Sequence, residues 1–311
     1  MVVNDAHCHF FSTKFFSALG QGLPGVEPGQ AAHTALARLG WESPGTALQL
    51  ADRWAAELDR HGIRRAALIA SVPSDVDSVA SAVARHPRRF VGFFMVDPTQ
   101  PEAHVHAAAA IDGGGLRTIC LFPAMHRYSL QDLAVRRLFE VAAARPGSAV
   151  FVHCGVLTVG ARARLGLPSR FDIRYGNPLD LQAMALDHPS VPIVIPHFGA
   201  GFFRETLMVA DICSNMVLDT SSSNAWMKYQ GSNLSLTAVF TQALAVVGPE
   251  RLLFGSDSSF FPRGWVREVF DRQRSALEEA GVASQATEKI LGGNFDRLFP
   301  MLTPPAMPPA G

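Results

Sequence analysis

The sequence predicts an α/β fold, a distorted (β/α)8 TIM barrel, and three observations support this prediction. Short apolar runs alternate with helical patterns along the 311-residue chain. Most of these runs are nearly continuous in Val, Ile, Leu, Phe and Ala, which is typical of parallel strands that helices cover on both faces. Eight such runs occur, which is the strand number of a barrel of about 250 residues. A doubly wound open sheet is the alternative.

The eight predicted strands are spaced so that one helix fits after each of them. The strand segments are 2–7, 65–71, 90–96, 115–122, 148–153, 192–197, 215–220 and 251–257. Apolar residues at helical spacing predict helices over 46–61, 76–86, 101–112, 131–144, 178–188, 203–213, 234–247, 265–280 and 284–291. The ends fit this assignment, because Gly62 follows the first helix as a C-cap and Pro87 follows the second.

The domain organisation predicted from this pattern is one catalytic barrel domain over residues 1–302. A Pro-rich tail, TPPAMPPAG, follows over 303–311, and such a segment cannot continue a helix. Two segments rich in Gly and Pro, 22–45 and 155–177, follow strands one and five. We expect them to be irregular loops at the carboxyl-end face, where barrel enzymes keep their active sites.

Charge and composition restrict the partners and the compartment. Lys plus Arg and Asp plus Glu both number 27, so the chain has no basic surplus with which to bind nucleic acid. No apolar run approaches the roughly 18 residues that a membrane helix needs, and no secretory signal pattern is present. The four cysteines are scattered and form no C-x-x-C pair. We therefore expect a reduced, cytoplasmic protein that acts on a small molecule.

Side chains that bind metals occur at the carboxyl ends of four predicted strands. They are His7 and His9 in strand one, His153 in strand five, His197 in strand six and Asp257 in strand eight. Residues two apart on a strand point to the same face, so His7 and His9 aim at one place. By the same rule Asp5 lies on their side, deeper in the barrel, as a candidate partner of the ligands. In a closed barrel, imidazoles and a carboxylate at these ends can converge on one cation.

Each of these residues also has an ordinary structural interpretation. H-x-H occurs by chance, His153 fits a buried strand end, and Asp257 fits a helix cap. The agreement in position among four of the eight strands favours a metal site over these separate interpretations. A nitrogen-rich ligand set with one carboxylate suits Zn²⁺ best, and Mn²⁺, Fe²⁺ and Co²⁺ are the alternatives.

Six motifs, in order along the chain, resemble those of the amidohydrolase superfamily, in the branch that includes aminocarboxymuconate semialdehyde decarboxylase. They are DAHCHFF (5–11), VFVHCG (150–155), VPIVIPHFGAGF (191–202), NMVLDTSSS (215–223), RLLFGSDSSF (251–260) and LGGNFDRLF (291–299). The resemblance covers nearly the whole chain, and the order of the motifs makes it specific.

The resemblance implies that His7, His9, His153 and Asp257 bind one divalent metal ion. It also implies that His197 is a catalytic residue beside the metal-bound water, while Asp257 is the group that takes the proton of the attacking water. Members with two metals carry a strand-four lysine, and strand four here, GLRTICLFP, has none, so we expect a mononuclear site. Aromatic-acid decarboxylases of the branch often carry Glu at the position of His7, which favours other members.

Two enzymatic functions stay open. A metal-activated water would hydrolyse an amide, ester or lactone of a small carboxylated or aromatic substrate, or the same site would decarboxylate or hydrate an unsaturated or aromatic acid. A third hypothesis is an inactive barrel that binds a ligand, and a homodimer is also left open. The candidate substrate-binding residues are Phe10, Arg117, His126, Tyr128, Asn224 and Trp226, with Phe11 and Trp41 as further pocket candidates. Arg117 fits a salt bridge below the site equally well.

Overall fold

The computed structural model describes residues 1–231 and 233–301, and it contains eight parallel strands in one sheet. The strands are β1 (Asn4–Phe10), β2 (Arg65–Ala70), β3 (Phe90–Val96), β4 (Leu116–Leu121), β5 (Ala149–Val152), β6 (Ile193–Ile195), β7 (Met216–Asp219) and β8 (Leu252–Leu253). Each strand pairs with the next in chain order. The predicted tail, 303–311, lies outside the described residues, so the extent of the domain stays a prediction.

The sheet closes on itself between β1 and the segment around β8. The Ala6 amide donates to the carbonyl of Phe254 at 2.8 Å, and the His9 amide donates to the carbonyl of Ser258 at 2.7 Å. A bridge between Cys8 and Ser258 continues this pairing. The predicted (β/α)8 barrel is therefore confirmed, and the closure excludes the open-sheet alternative.

Helices surround the sheet and, in the described part of the chain, all nine predicted helical segments contain helix. The helices are α1 (Thr13–Gly20), α2 (Ala31–Leu39), α3 (Ala47–His61), α4 (Val76–Arg85), α5 (Ala103–Asp112), α6 (Pro123–His126), α7 (Leu133–Ala143), α8 (Gly160–Arg164), α9 (Gln182–Asp187), α10 (Phe203–Ile212), α11 (Leu236–Val247), α12 (Arg267–Glu279), α13 (Ser284–Glu288) and α14 (Asn294–Leu298). A π-helical turn, Lys289–Gly293, joins the last two. No helix of the described residues has both the length and the apolar character needed to span a membrane.

Helix α3 illustrates how local sequence sets these bounds. Thr46 and Gln49 form a reciprocal capping box at its start, and Gly62 ends it with a φ of 70°. Leu50 and Trp54, four residues apart, lie buried on one face. This helix therefore begins and ends where its caps and its apolar spacing require.

The expectation that 22–45 is irregular is wrong for its second half, which contains α2. Four residues of α2 at helical spacing are buried, namely Ala31, Ala35, Leu36 and Leu39. Gly40 ends the helix with a φ of 67°. The Gly and Pro residues of this segment therefore flank a helix and do not interrupt one.

Apolar side chains fill the interior of the barrel below the mouth. They include Ala6, Ile69, Phe93, Phe151, Val217 and Leu253. A second, larger core lies between the outer face of the sheet and the helices, and it contains Cys8, Phe10 and Trp54. Apolar side chains thus fill the barrel below the mouth, and the polar side chains of the candidate site lie at the carboxyl-end mouth.

Candidate metal centre

Three of the predicted ligands meet at the mouth of the barrel. His7 and His9 lie on β1, and Asp257 lies four residues beyond β8. Nε2 of His7 is 3.3 Å from Nε2 of His9, and Oδ1 of Asp257 is 3.2 Å from the His9 atom and 3.7 Å from the His7 atom. His7 is buried, whereas the Asp257 side chain is 32% exposed. The ligand atoms of all three lie within 4.8 Å of one another.

The outer nitrogens of the two imidazoles have hydrogen-bond partners that fix their tautomers. Nδ1 of His7 lies 2.6 Å from a carboxylate oxygen of Asp219, which accepts only, so this nitrogen carries the proton. Nδ1 of His9 lies 2.7 Å from the hydroxyl of Ser71. That hydroxyl donates to the carbonyl of Ile69 at 3.1 Å, so it accepts from His9. In both rings Nε2 is therefore the free acceptor.

The resulting donor set fits a divalent cation. Two imidazole lone pairs and a carboxylate oxygen face one another within hydrogen-bonding distance, although none of them supplies a proton in these tautomers. A cation satisfies all three acceptors at once, and two nitrogens with one oxygen suit zinc or a similar transition metal. The partners on Nδ1 are those that orient metal-binding histidines in proteins.

Burial and neighbouring charges shift the pKa values of these groups in different directions. Burial lowers the pKa of His9. Burial also acts to lower the pKa of His7, but the Asp219 carboxylate outweighs it and the net pKa is raised. Burial acts to raise the pKa of Asp257, whereas the contact with His9 and the charges of His7 and His197 hold it well below its usual range. Asp257 is thus an ionised carboxylate at neutral pH, as a metal ligand must be.

His153 and His197 lie beside this group but outside the three-residue cluster. Their ring centroids are 5.2 Å apart, and the His197 ring is 5.0 Å from that of His7. Nδ1 of His153 is buried and has no hydrogen-bond partner among the described residues. Burial holds the pKa of His153 well below its usual value and also lowers that of His197, so both are neutral imidazoles. His153 as a fourth ligand and His197 as a catalytic residue stay predictions.

Asp219 and Ser221, at the carboxyl end of β7, form a support that the sequence analysis missed. The Asp219 carboxylate accepts from the amide of Ser221 at 2.8 Å and from His7. The Ser221 hydroxyl lies 3.0 Å from Nδ1 of His7 and 2.9 Å from Nδ1 of His197. The sequence did contain a sign of this role. Asp219 is an acidic residue at the end of a strand within one of the six motifs, and the same is true of Asp257.

The placement predicted for Asp5 is wrong because β1 contains a bulge between Asp5 and Cys8. One extra residue in the strand reverses the face on which the preceding side chains lie. Asp5 therefore accepts hydrogen bonds from the backbone amides of His7 (2.9 Å) and Ser256 (3.0 Å) and from the indole of Trp265 (2.7 Å). Among the described residues it makes no hydrogen bond to an imidazole, and it instead connects β1 to the segment after β8.

Left-handed backbone conformations occur at the residues that carry the site. His197, Phe198 and Ala200 have φ values of 56°, 52° and 44°, and Asp257 has a φ of 60°. Non-glycine residues in this region are strained by about 1–3 kcal/mol each. Such strain at His197 and Asp257 indicates that their orientation is set by the surrounding fold.

A cavity of about 390 Å³ opens above the cluster. His9, His153, His197 and Asp257 lie at its base. Its wall is aromatic and carries two arginines, and it comprises Phe11, Phe15, Trp41, Phe122, Phe260, Arg164 and Arg263. A second cavity of about 210 Å³ shares the last three basal residues and is lined by Trp226, Lys228 and Tyr229. Phe11, Trp41 and Trp226 are thus the pocket candidates that the structure places beside the site.

Arg117 and Phe10 do not reach either cavity. Arg117 is the second residue of β4, and its Nε donates to the carbonyl of Gly147, just before β5. It therefore lies at the amino end of the barrel, opposite the mouth. Phe10 is fully buried in the outer core, because it follows His9 and points to the other face. Both assignments as substrate-binding residues are corrected by these positions.

The remaining candidates are not among the residues that line the two cavities. Tyr128 is buried in the outer core, and burial raises the pKa of its phenol well above the usual value. His126 has a buried Nδ1 with no hydrogen-bond partner in residues 1–231 and 233–301, and burial lowers its pKa. Asn224 accepts from the indole of Trp226 at 2.8 Å, so it positions a cavity residue and does not line the cavity itself.

Comparison with known proteins gives one family match and several similar folds. The sequence model described as amidohydrolase matches residues 5–301. No curated protein sequence gives a significant match. One similar solved structure is 5-carboxyvanillate decarboxylase from Sphingomonas paucimobilis, at 16% identity, a TM-score of 0.63, and coverage of 97% of this chain and 99% of that one.

Two further structures share the fold over most of their length. A putative 2-pyrone-4,6-dicarboxylic acid hydrolase from Pseudomonas putida has 19% identity and a TM-score of 0.61, with coverage of 97% of this chain and 99% of that chain. A 5-carboxyvanillate decarboxylase from Novosphingobium aromaticivorans, complexed with manganese and 4-hydroxy-3-methoxy-5-nitrobenzoic acid, has 15% identity and a TM-score of 0.63, and 96% of each chain is covered. At these identities the likeness establishes the fold alone.

Proposed function

Since the chain belongs to the amidohydrolase family, we propose that it is a hydrolase in which a metal-activated water attacks the C–N or C–O bond of a small carboxylated or aromatic substrate. Members of the family are metal-dependent hydrolases or decarboxylases, and the coarser assignment to this pair of classes follows from membership. The observation that carries the proposal is the triangle of acceptor atoms from His7, His9 and Asp257.

One divalent ion, Zn²⁺ as the first choice, is the proposed cofactor, and the chain's own residues define its role. The ion lowers the pKa of a water and polarises a carbonyl when it is bound. His7 and His9 would hold it through Nε2, with His153 as the proposed fourth ligand. Asp257, which is ionised and partly exposed to the cavity, would take the proton from the attacking water and return it to the leaving group.

We propose that His197 accepts a second proton, beside the one that Asp257 takes. Its Nδ1 lies 3.2 Å from the carbonyl of Ser221, which accepts only, so Nδ1 carries the proton. Nε2 is then the acceptor of this neutral imidazole. We therefore assign to His197 the role of a proton acceptor toward the water or substrate in the cavity, and donation follows only after it is protonated.

The second candidate function is a metal-dependent carboxy-lyase. It is favoured by the similar folds described as 5-carboxyvanillate decarboxylases, one of which is complexed with manganese. Mn²⁺ is accordingly the first alternative to Zn²⁺. In this reaction an unsaturated or aromatic acid loses carbon dioxide, and a proton from the site replaces it on carbon. An inactive ligand-binding barrel is not favoured, since the ligand set is intact.

Metal analysis and a substrate panel test the proposal. We expect about one transition-metal ion per chain by elemental analysis, and loss of hydrolysis on dialysis against a chelator. The panel contains lactones, amides and aromatic or muconate-type acids. Proton release without carbon dioxide supports the hydrolase, and carbon dioxide release supports the lyase. Two ions per chain would contradict the mononuclear site.

Substitution of the ligands gives a sharper version of the same test. His9→Ala is expected to lose bound metal, and His153→Ala is expected to weaken metal binding if it is the fourth ligand. His106→Ala, an exposed histidine on α5, is the control and keeps full occupancy. Metal content is measured on the purified variants, together with their circular dichroism. Full occupancy in His9→Ala would overturn the ligand assignment.

A further inference from the structure

Two arginines in the wall of the larger cavity have charges that the protein leaves unpaired. Arg164 and Arg263 line the same cavity as the metal-ligand candidates His9 and Asp257. Within residues 1–231 and 233–301, neither guanidinium lies within ion-pair distance of a carboxylate oxygen. By contrast, Arg267, four residues after Arg263, has an ordinary surface ion pair with Asp271.

Arg263 is held in place by part of its guanidinium. Its Nη2 donates to the carbonyl of Asp257 at 3.2 Å and to the hydroxyl of Ser259 at 2.9 Å. The guanidinium carbon lies 4.7 Å from the ring centroid of Phe260. In the described part of the chain, Nε and Nη1 make no hydrogen bond. A fixed guanidinium with unused N–H groups is preorganised to bind a carboxylate.

An aromatic pair connects the two arginines. The rings of Trp41 and Phe260 stack with centroids 3.6 Å apart and planes at 7°. The guanidinium carbon of Arg164 lies 5.8 Å from the centroid of the Trp41 ring. In the same way, the guanidinium of Arg263 lies over the ring of Phe260. Each ring thus has the other ring on one face and a guanidinium beside it, so the pair holds both arginines in the wall of the cavity.

The charge of the site also favours an anion. Among the residues that line the cavity, Arg164 and Arg263 carry two positive charges, and Asp257 carries one negative charge. A bound divalent cation would add to this positive excess. An anionic ligand would compensate this excess, whereas a neutral ligand would not.

We infer that Arg263 is the carboxylate-binding residue of this cavity, with Arg164 as a second anchor, and that the substrate is a planar organic acid. Its carboxylate would pair with the free N–H groups of Arg263, and its ring would lie among the other aromatic side chains of the cavity wall, Phe11, Phe15 and Phe122. The inference rests on the proposed function in one respect, since the reacting bond of this acid must reach the metal ligands. It also assigns the acid group to a wall of the site and not to the metal ligands.

Calorimetric titration of the metal-loaded protein with benzoate and with benzamide tests this inference. The two probes have the same ring, and only benzoate is charged. We expect benzoate to bind roughly tenfold or more tighter than benzamide, since a hydrogen bond between two charged groups is stronger than one to a neutral group. In Arg263→Met, benzoate affinity should fall most of the way to that of benzamide, because only Arg164 remains in the wall, while benzamide binding is unchanged. Arg263→Lys should restore only part of the preference.

Arg267→Met is the matched control, since it removes a nearby arginine that also lies over an aromatic ring, Phe270, outside the cavity. It should keep the preference of the wild-type protein. Equal binding of the two probes by the wild-type protein, or a full benzoate preference in Arg263→Met, overturns the inference. The same titration on metal-free protein separates the two proposals. Selectivity without metal binding contradicts the proposed function alone, and metal binding without selectivity contradicts the inference alone.

Discussion

At the scale of single residues, the site depends on groups that hold the ligands as much as on the ligands. Asp219 fixes which nitrogen of His7 faces the cluster, and Ser71 does the same for His9. A histidine free to rotate or to change tautomer would present a proton where a lone pair is required. Metal affinity should therefore respond to residues that do not touch the metal.

Substitution of Asp219 by Asn tests this dependence. The amide keeps the size of the side chain but loses the charge that holds the Nδ1 proton of His7. We expect metal affinity to fall by about 10–100-fold, which is typical for loss of such a partner. Competition with a chromophoric chelator measures it, and Asp271→Asn, in an exposed ion pair on α12, is the control. Unchanged affinity would show that Asp219 does not orient the ligand.

At the scale of elements, the bulge in β1 decides which side chains enter the mouth. Regular alternation would place Asp5 with the histidines, but the bulge turns it outward to Trp265. His7 lies within the irregular stretch and His9 follows it, and both side chains reach the mouth, as the strand period predicted for this pair. A single sequence does not reveal the bulge, since it arises from how β1 pairs with β2.

Trp265→Phe should destabilise the fold at this junction. The buried indole donates to a carboxylate oxygen of Asp5, and phenylalanine leaves that oxygen without its donor. Burial already raises the pKa of Asp5, which indicates a carboxylate that is poorly solvated. We expect a loss of about 1–3 kcal/mol in the free energy of unfolding, measured by urea denaturation. Trp41→Phe, whose indole makes no hydrogen bond in the described residues, should lose less, and an equal loss would contradict the role of the bond.

At the scale of the whole molecule, the strands and helices can be predicted from regular patterns in the sequence. The positions of side chains that depend on contacts between distant loops cannot. Eight buried strands and their helices were predictable because buried parallel strands leave continuous apolar runs and helices leave apolar residues at helical spacing. Arg117 was misplaced although strand four was predicted to within one residue at each end, because Arg117 lies about 13 Å from the carboxyl end of β4 at 3.3 Å per residue, too far to reach the mouth. Arg263 was missed because its place in the wall depends on its packing over Phe260, which itself stacks on Trp41 from a distant loop.

Gly255 lies where β1, β7 and β8 meet, and it links barrel closure to the candidate metal centre. A Cβ atom there would be 2.6 Å from Oδ1 of Asp219, 2.8 Å from Cβ of Ser221 and 2.9 Å from Cβ of His7. Such distances are too short for real contacts, so an added methyl group must displace the carboxylate or the strand that carries His7.

Gly255→Ala should therefore reduce both stability and metal affinity, because the clash falls on the support of the site and on the seam of the barrel together. We expect a loss of about 1–3 kcal/mol in the free energy of unfolding, as for overpacking in a core, and weaker metal binding in the folded fraction. Gly29→Ala, where nothing lies within 4 Å of the added atom, is the control. Chemical denaturation and chelator competition on the same samples separate the two effects. If stability falls while metal affinity stays at the wild-type value, the displacement is absorbed by β8 and not by the Asp219–His7 pair.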